Sequence, residues 1–137
     1  KHNFDNMLIN ICEKFGYKLE YFIGENKKEI ENCSTIVSAL CGVKPSLFAP
    51  PSGSFSNTTL NVAQQLGYKV IMWSKDTIDW RDSNKELLYK RATQNLSNGD
   101  LVLMHPKKHT KEILSNVIDY YKSMGFNVVT VSENVGE

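Results

Sequence analysis

The sequence predicts an α/β chain built from parallel βα repeats, and three observations carry that prediction. First, Phe15–Phe22 (FGYKLEYF), Leu66–Trp73 (LGYKVIMW) and Met124–Val131 (MGFNVVTV) share one pattern. In each, a helix ends, a glycine (Gly16, Gly67 or Gly125) takes a left-handed backbone, and an apolar strand begins. Second, the apolar runs Ser46–Pro50 and Asp100–His105 lack alternation and read as short strands buried on both faces. Third, helical stretches of about 10 to 16 residues separate these strands, and that alternation implies parallel crossovers. About five strands follow.

The helices are placed by their apolar spacing. Asn26–Cys41 sets Ile30, Cys33, Val37, Leu40 and Cys41 along one stripe, and Asn57–Leu66 reads as a shorter helix. Ser83 with Glu86 forms a capping box opening a helix through Leu87, Leu88, Arg91, Ala92 and Leu96, which Asn98-Gly99 ends. Thr110 is expected to cap the last helix, which carries Ile113, Leu114, Val117, Ile118 and Tyr121 and closes at Gly125.

Size and charge narrow the function classes. The 137 residues fit one domain, 1–137, whose first residue, Lys1, points to an N-terminally incomplete chain. Net charge is +1 with the signs interspersed, which excludes the basic stripe that nucleic-acid phosphates require. No run is long enough to span a membrane, and no signal segment is visible. Cys12, Cys33 and Cys41 cannot all pair. Cys33 and Cys41 lie on one helix with about 12 Å of rise between them, beyond the roughly 7 Å limit of a disulfide, so buried thiols are expected.

In parallel α/β folds, chemistry collects beyond the C-terminal ends of the strands. Three strings stand there: Ala49-Pro50-Pro51-Ser52-Gly53, Asp76-Thr77-Ile78-Asp79-Trp80 and Leu103-Met104-His105. In that order they resemble the later motifs of the polysaccharide deacetylases, carbohydrate esterase family four. The form FAPPSGSF is similar to a sporulation-associated subgroup of that family.

The resemblance implies a partial (β/α) barrel, the C-terminal part of the family's seven-stranded barrel. It also implies hydrolysis of N-acetyl groups on N-acetylglucosamine polymers of the peptidoglycan or chitin type. His105 would be the general acid toward the leaving amine, with Asp79 fixing its tautomer on the other ring nitrogen. The Ser52 amide, aimed by Pro50 and Pro51 with Gly53 giving the sharp exit, would hold the oxyanion. Trp73 and Trp80 would form an apolar wall for the acetyl group or sugar face. On the residues alone, Asp79 also reads as a turn or helix cap, and His109 reads as a solvated residue at a helix entry.

The family pattern further calls for one divalent metal, zinc or cobalt, whose bound water attacks the acetamide. In the family an Asp-Asp pair on a first strand supplies the base and one ligand, and a His-x-x-x-His loop supplies two more. Neither is read here: among His2, His105 and His109 no pair is taken to have the spacing that puts two imidazoles on one metal, and Ala49 stands where the family places Arg. The expected function is therefore a deacetylase-like domain with impaired or absent hydrolysis. The alternative is a non-catalytic glycan-binding or interaction domain. Cell-envelope or extracellular placement follows from the family alone, and an incompletely closed sheet would leave an edge for self-association.

Overall fold

The structure is a computed structural model that describes residues 19–136, with side chains described from residue 25 onward. The chain divides into two compact units, Lys1–Met72 and Trp73–Glu137, each a βαβ arrangement considered by itself. Four two-residue strands are present among the described residues, rather than five.

In the first unit, helix α1 (Leu19–Cys41) ends at Gly42, whose positive φ of 70° turns the chain while its N–H donates to the Ser38 carbonyl. Strand β1 (Leu47–Phe48) pairs in parallel with β2 (Lys69–Val70), in register Leu47 with Lys69 and Phe48 with Val70. The crossover is α2 (Asn57–Gln65), opened by a capping box in which Ser56 Oγ accepts from the Thr59 N–H and Thr59 Oγ1 accepts from the Ser56 N–H. Ile30, Val62, Ala63 and Tyr68 form the core, with Phe48, Leu66 and Val70 packed against it.

Two expectations fail on α1. The strand expected over Phe15–Phe22 is helical at Leu19–Phe22, and its earlier residues, Gly16 included, lie outside the described residues. The buried stripe runs through Ile30 and Ser34 rather than through the cysteines. Cys33 and Cys41 are free and exposed, and Leu40 is 81% exposed. A helix advances about 100° per residue, so choosing Ser34 over Cys33 rotates the whole face. The small Ser34 side chain suits close approach where α1 packs on α2. Cys12 lies outside the described residues.

In the second unit, β3 (Lys75–Asp76) pairs in parallel with β4 (Val102–Leu103), in register Lys75 with Val102 and Asp76 with Leu103. Helix α3 (Lys85–Thr93) crosses between them and packs on α4 (Lys108–Ser123). Leu88, Ala92, Ile113 and Val117 make the core, flanked by Tyr89, Met104 and Tyr121. The Tyr121 hydroxyl donates to the Ala92 carbonyl at 2.8 Å, tying the two helices together.

The element ends differ from expectation for local reasons. Asn84, not Ser83, caps α3 by accepting from the Leu87 N–H. That helix stops at Thr93, well before Asn98-Gly99, because Lys75 Nζ takes the carbonyls of Gln94 and Asn95 and Asn95 turns left-handed, φ 52°. Thr110 lies inside α4 rather than capping it, since Lys107 occupies the N-cap. Gly125 does end α4 with φ 81°, but the residues after it form no strand. Thr130 and Glu133 instead make a capping box that starts α5 (Val131–Val135). Among the described residues, no helix is long and apolar enough to cross a membrane.

Candidate active site

The site is built on the loop that leaves β3. Asp76 Oδ1 accepts from the Ile78 N–H at 2.8 Å, and the Ile78 carbonyl accepts from the N–H groups of Arg81 and Asp82. This double closure holds Ile78 at φ 58°. A β-branched residue there is strained by about 1–2 kcal/mol, so the surroundings must oppose its relaxation. They do so at both ends of the loop. Thr77 Oγ1 donates to the Leu103 carbonyl, while Arg91 Nη1 donates to the Thr77 carbonyl at 3.0 Å and to Asp82 Oδ2 at 2.7 Å.

Asp79 follows the strained residue and is 1% exposed. Its carboxylate does not cap the loop; that task falls to Asp76. Three donors converge on it instead: the His105 N–H on Oδ2 at 2.6 Å, Thr110 Oγ1 on Oδ2 at 2.6 Å, and His105 Nδ1 on Oδ1 at 2.7 Å. Burial pushes the Asp79 pKa up, but the hydrogen bonds from Thr110 and His105 outweigh it and hold the carboxyl below the usual range. An ionised acceptor at that distance fixes the proton of the His105 ring on Nδ1.

The His105 side chain is 37% exposed and lines a cleft of about 500 Å³ with Met104, Pro106, Lys107, Thr110 and Leu114. Trp80 is 56% exposed, with the Arg81 guanidinium 5.8 Å from its ring centroid; Trp73 is half-buried. The structure thus brings Asp79 and His105 together and sets the two tryptophans in the same unit.

Pro50, Pro51 and Ser52 belong to the first unit. Pro50 is buried while Pro51 and Ser52 are exposed. The Gly53 N–H donates to the Pro50 carbonyl and the Ser54 N–H to the Pro51 carbonyl, giving two overlapping turns. Ser52 itself takes the left-handed backbone, φ 55° and ψ 15°, followed by Gly53 at φ 65°. The sharp exit therefore needs two left-handed residues rather than Gly53 alone.

His109 is not a solvated helix-entry residue. It is half-buried, and its Nε2 lies 2.9 Å from the Asp79 carbonyl oxygen, to which it must donate. His105 and His109 in fact stand at the His-x-x-x-His spacing that the sequence reading denied to this chain. Both rings are turned onto Asp79. The spacing was visible in the string HPKKHT; what hid the roles of His109 and Thr110 was the assumption that the helix began at Thr110.

A divalent ion is not matched by these groups. Among the described residues no three His, Cys, Asp or Glu side chains gather around one point, and the Asp79 carboxylate is already engaged by three donors. The arrangement can hold a proton on His105 Nδ1 and keep the other ring nitrogen for a ligand, and the loop that carries Asp79 also carries the exposed Trp80.

The family model for polysaccharide deacetylase matches residues 23–71. The uncharacterised protein YlxY of Bacillus subtilis is 34% identical over 83% of this chain and 36% of its own length. The peptidoglycan-N-acetylglucosamine deacetylase PgdA of Listeria monocytogenes is 34% identical over 70% of this chain and 20% of its own. Among solved structures, BA3943 of Bacillus anthracis, described as a carbohydrate esterase family four pseudoenzyme, superposes with a TM-score of 0.79 at 32% identity, covering 84% of this chain and 41% of that one. A mutant of that protein with restored enzymatic activity gives a TM-score of 0.80 at 31% identity, over 84% and 42%. The chain thus spans about a third of YlxY and a fifth of PgdA. Its α/β architecture with parallel strands corresponds to part of such a domain, and the chain is a polysaccharide deacetylase-like member of carbohydrate esterase family four.

Proposed function

We propose that this chain binds an N-acetylated glycan of the peptidoglycan or chitin type through the His105 side of the second unit and that, by itself, it hydrolyses that glycan poorly or not at all. The observation that carries the reading is the Asp79–His105 pair, with His105 opening on the cleft and Trp80 exposed in the same loop. The acetamide and the sugar's apolar face suit a half-exposed imidazole and an aromatic ring. Within this proposal His105 is the proton donor to the leaving amine, Asp79 orients it, and Trp73 and Trp80 supply the apolar wall. For the first unit, taken by itself, the proposal assigns the Ser52 amide as a donor to a glycan oxygen.

Weak hydrolysis is supported by Ala49 in place of the family's Arg and by the absence of an Asp-Asp string from the sequence. An amide attacked by unactivated water reacts very slowly. The likeness to a protein described as a pseudoenzyme points the same way. The peptidoglycan deacetylases among its relatives support placement at the cell envelope, and the string FAPPSGSF supports the sporulation-type subgroup. Self-association through a sheet edge is a further part of the proposal, supported by β4, which has only β3 beside it among the described residues.

The test titrates chitin oligomers and peptidoglycan fragments against the intrinsic fluorescence of the full chain, and assays acetate release with zinc or cobalt added and then chelated. Binding without acetate release is expected, and Trp80→Ala should abolish the fluorescence change. Absence of binding to both glycans would overturn the reading. Metal-dependent acetate release that chelation stops would overturn its inactive half.

A further inference from the structure

We infer that His109 is a positioning residue for the Asp79–His105 pair: its ring holds the peptide carbonyl of Asp79, so that the carboxylate presents one fixed face to His105. The inference rests on the reading of His105 and Asp79 given above and adds a residue that this reading does not use.

The argument begins with the loop. Ile78, at φ 58°, stands immediately before Asp79, so the backbone tends to relax at that point. Arg91 holds the carbonyl of Thr77, on the near side of the strained residue. On the far side, the carbonyl of Asp79 is held by His109 Nε2 at 2.9 Å. Rotation of the whole Asp79 backbone, as Ile78 relaxes, would carry the Asp79 side chain away from its three donors and its carbonyl away from His109 Nε2. His109 opposes that rotation.

The grip is economical in sequence. His105, His109 and Thr110 all bear on Asp79, two through its carboxylate and one through its backbone. His109 is absent from the cleft that His105 lines, so it acts from behind Asp79 rather than on a ligand. Its role is not that of a proton donor. The carbonyl can only accept, so the Nε2–H of His109 is the hydrogen-bond donor in this contact.

Side-chain geometry supplies the test. A glutamine places its amide nitrogen where Nε2 stands, whereas an asparagine reaches only as far as Nδ1. His109→Gln should therefore keep the hold, and His109→Asn and His109→Ala should lose it. The readout is solvent exchange of the His105 Nδ1 proton, followed by NMR on the full chain with isotope-labelled histidine. Exchange should stay within about twofold of the parent in His109→Gln and rise about tenfold in His109→Asn and His109→Ala, because local opening sets the rate. The Val117 amide, in the buried core of α4, reports global unfolding and should not change.

Equal exchange in the glutamine and asparagine variants would overturn the inference. So would acceleration that the Val117 amide shares in proportion, since that would make His109 a general structural residue. If His109→Ala does not fold, the contrast between glutamine and asparagine decides. The measurement uses neither glycan nor turnover. Failure to bind glycan therefore sinks the functional proposal and leaves this result standing, whereas unchanged exchange sinks this inference alone.

Discussion

Replacing Asp79 by Asn tests whether the buried carboxylate organises the second unit. The substitution keeps the shape and one oxygen. With that oxygen at the Oδ2 position, it still accepts from the His105 N–H and from Thr110 Oγ1, while the amide nitrogen faces His105 Nδ1. The ring must then place its proton on Nε2, so the geometry survives in the wrong tautomer. Three bonds to a charged acceptor become neutral ones, each weaker by a fraction of the roughly 1.5–3 kcal/mol that such bonds contribute, and the expected loss is about 2 kcal/mol. Asp79→Ala leaves all three donors without an acceptor and should cost about 4 kcal/mol. Both tryptophans, Trp73 and Trp80, lie in this unit, so urea unfolding followed by fluorescence reports it directly. With a slope of about 2 kcal/mol per molar urea, the midpoint should fall by about 1 M for the asparagine and 2 M for the alanine. Asp82→Asn, in the same loop with its side chain 24% exposed and paired to Arg81 and Arg91, should shift it less. A midpoint unchanged in Asp79→Asn, or an alanine variant no worse than Asp82→Asn, would refute the reasoning.

Other perturbations follow from the same contacts. Leu88→Ala, at a fully buried site, should cost about 3 kcal/mol, and Leu87→Ala, at a site 38% exposed, less than about 1 kcal/mol, both read by urea unfolding. Ser52→Gly should raise the melting temperature by one or two degrees in circular dichroism, because glycine removes about 1–2 kcal/mol of left-handed strain against a smaller entropic cost in the unfolded chain. Acid stability should be full above about pH 4 and decline as pH falls toward 2, since Asp79, Asp100 and Asp82 are held below the usual range, Asp82 down to about 2 by Arg81 and Arg91. On the alkaline side, burial and the nearby Asp100 push Tyr121 up to about 12, so the folded state keeps a proton that the unfolded chain releases near pH 10. Stability should then fall between those values in a pH series of melts, and Tyr121→Phe should flatten that limb.

Much of the frame was legible because its signals are local. Leu47–Phe48, Lys69–Val70 and Val102–Leu103 fall inside the apolar runs read as strands, and Gly67 and Gly125 do turn left-handed after α2 and α4. The proximity of Asp79 and His105 came from the order of motifs, not from periodicity, because they are 26 residues apart and meet only through sheet register. What stayed hidden depends on tertiary context. Lys75–Asp76 is a strand because Val102–Leu103 lies beside it, and nothing in the string SKDT says so. Thr110 looked like a cap because threonine has the same oxygen for a helix end as for a buried carboxylate. Val128 and Val129 have strand propensity yet stay exposed and unpaired among the described residues, while the Thr130–Glu133 capping box takes over just beyond them. Cys33 and Leu40 misled because an apolar residue on a helix need not be on its buried face.

The way Asp79 is held bears on what its presence means. A buried carboxylate with three donors is costly to delete, since those donors lose their acceptor and remain inside. Selection for stability alone would therefore keep it in a chain that no longer hydrolyses anything, and the Asp79–His105 pair is weak evidence of turnover. The two partners should separate experimentally. His105→Ala breaks the Nδ1 bond but leaves the carboxylate with the residue 105 backbone N–H and Thr110 Oγ1, and it removes a ring already 37% exposed. It should lower the urea midpoint by less than half as much as Asp79→Ala, although both remove the same side-chain contact. A loss equal to that of Asp79→Ala would mean that the imidazole, not the carboxylate, is the structural keystone, and retention of the pair would then carry no bias toward the aspartate.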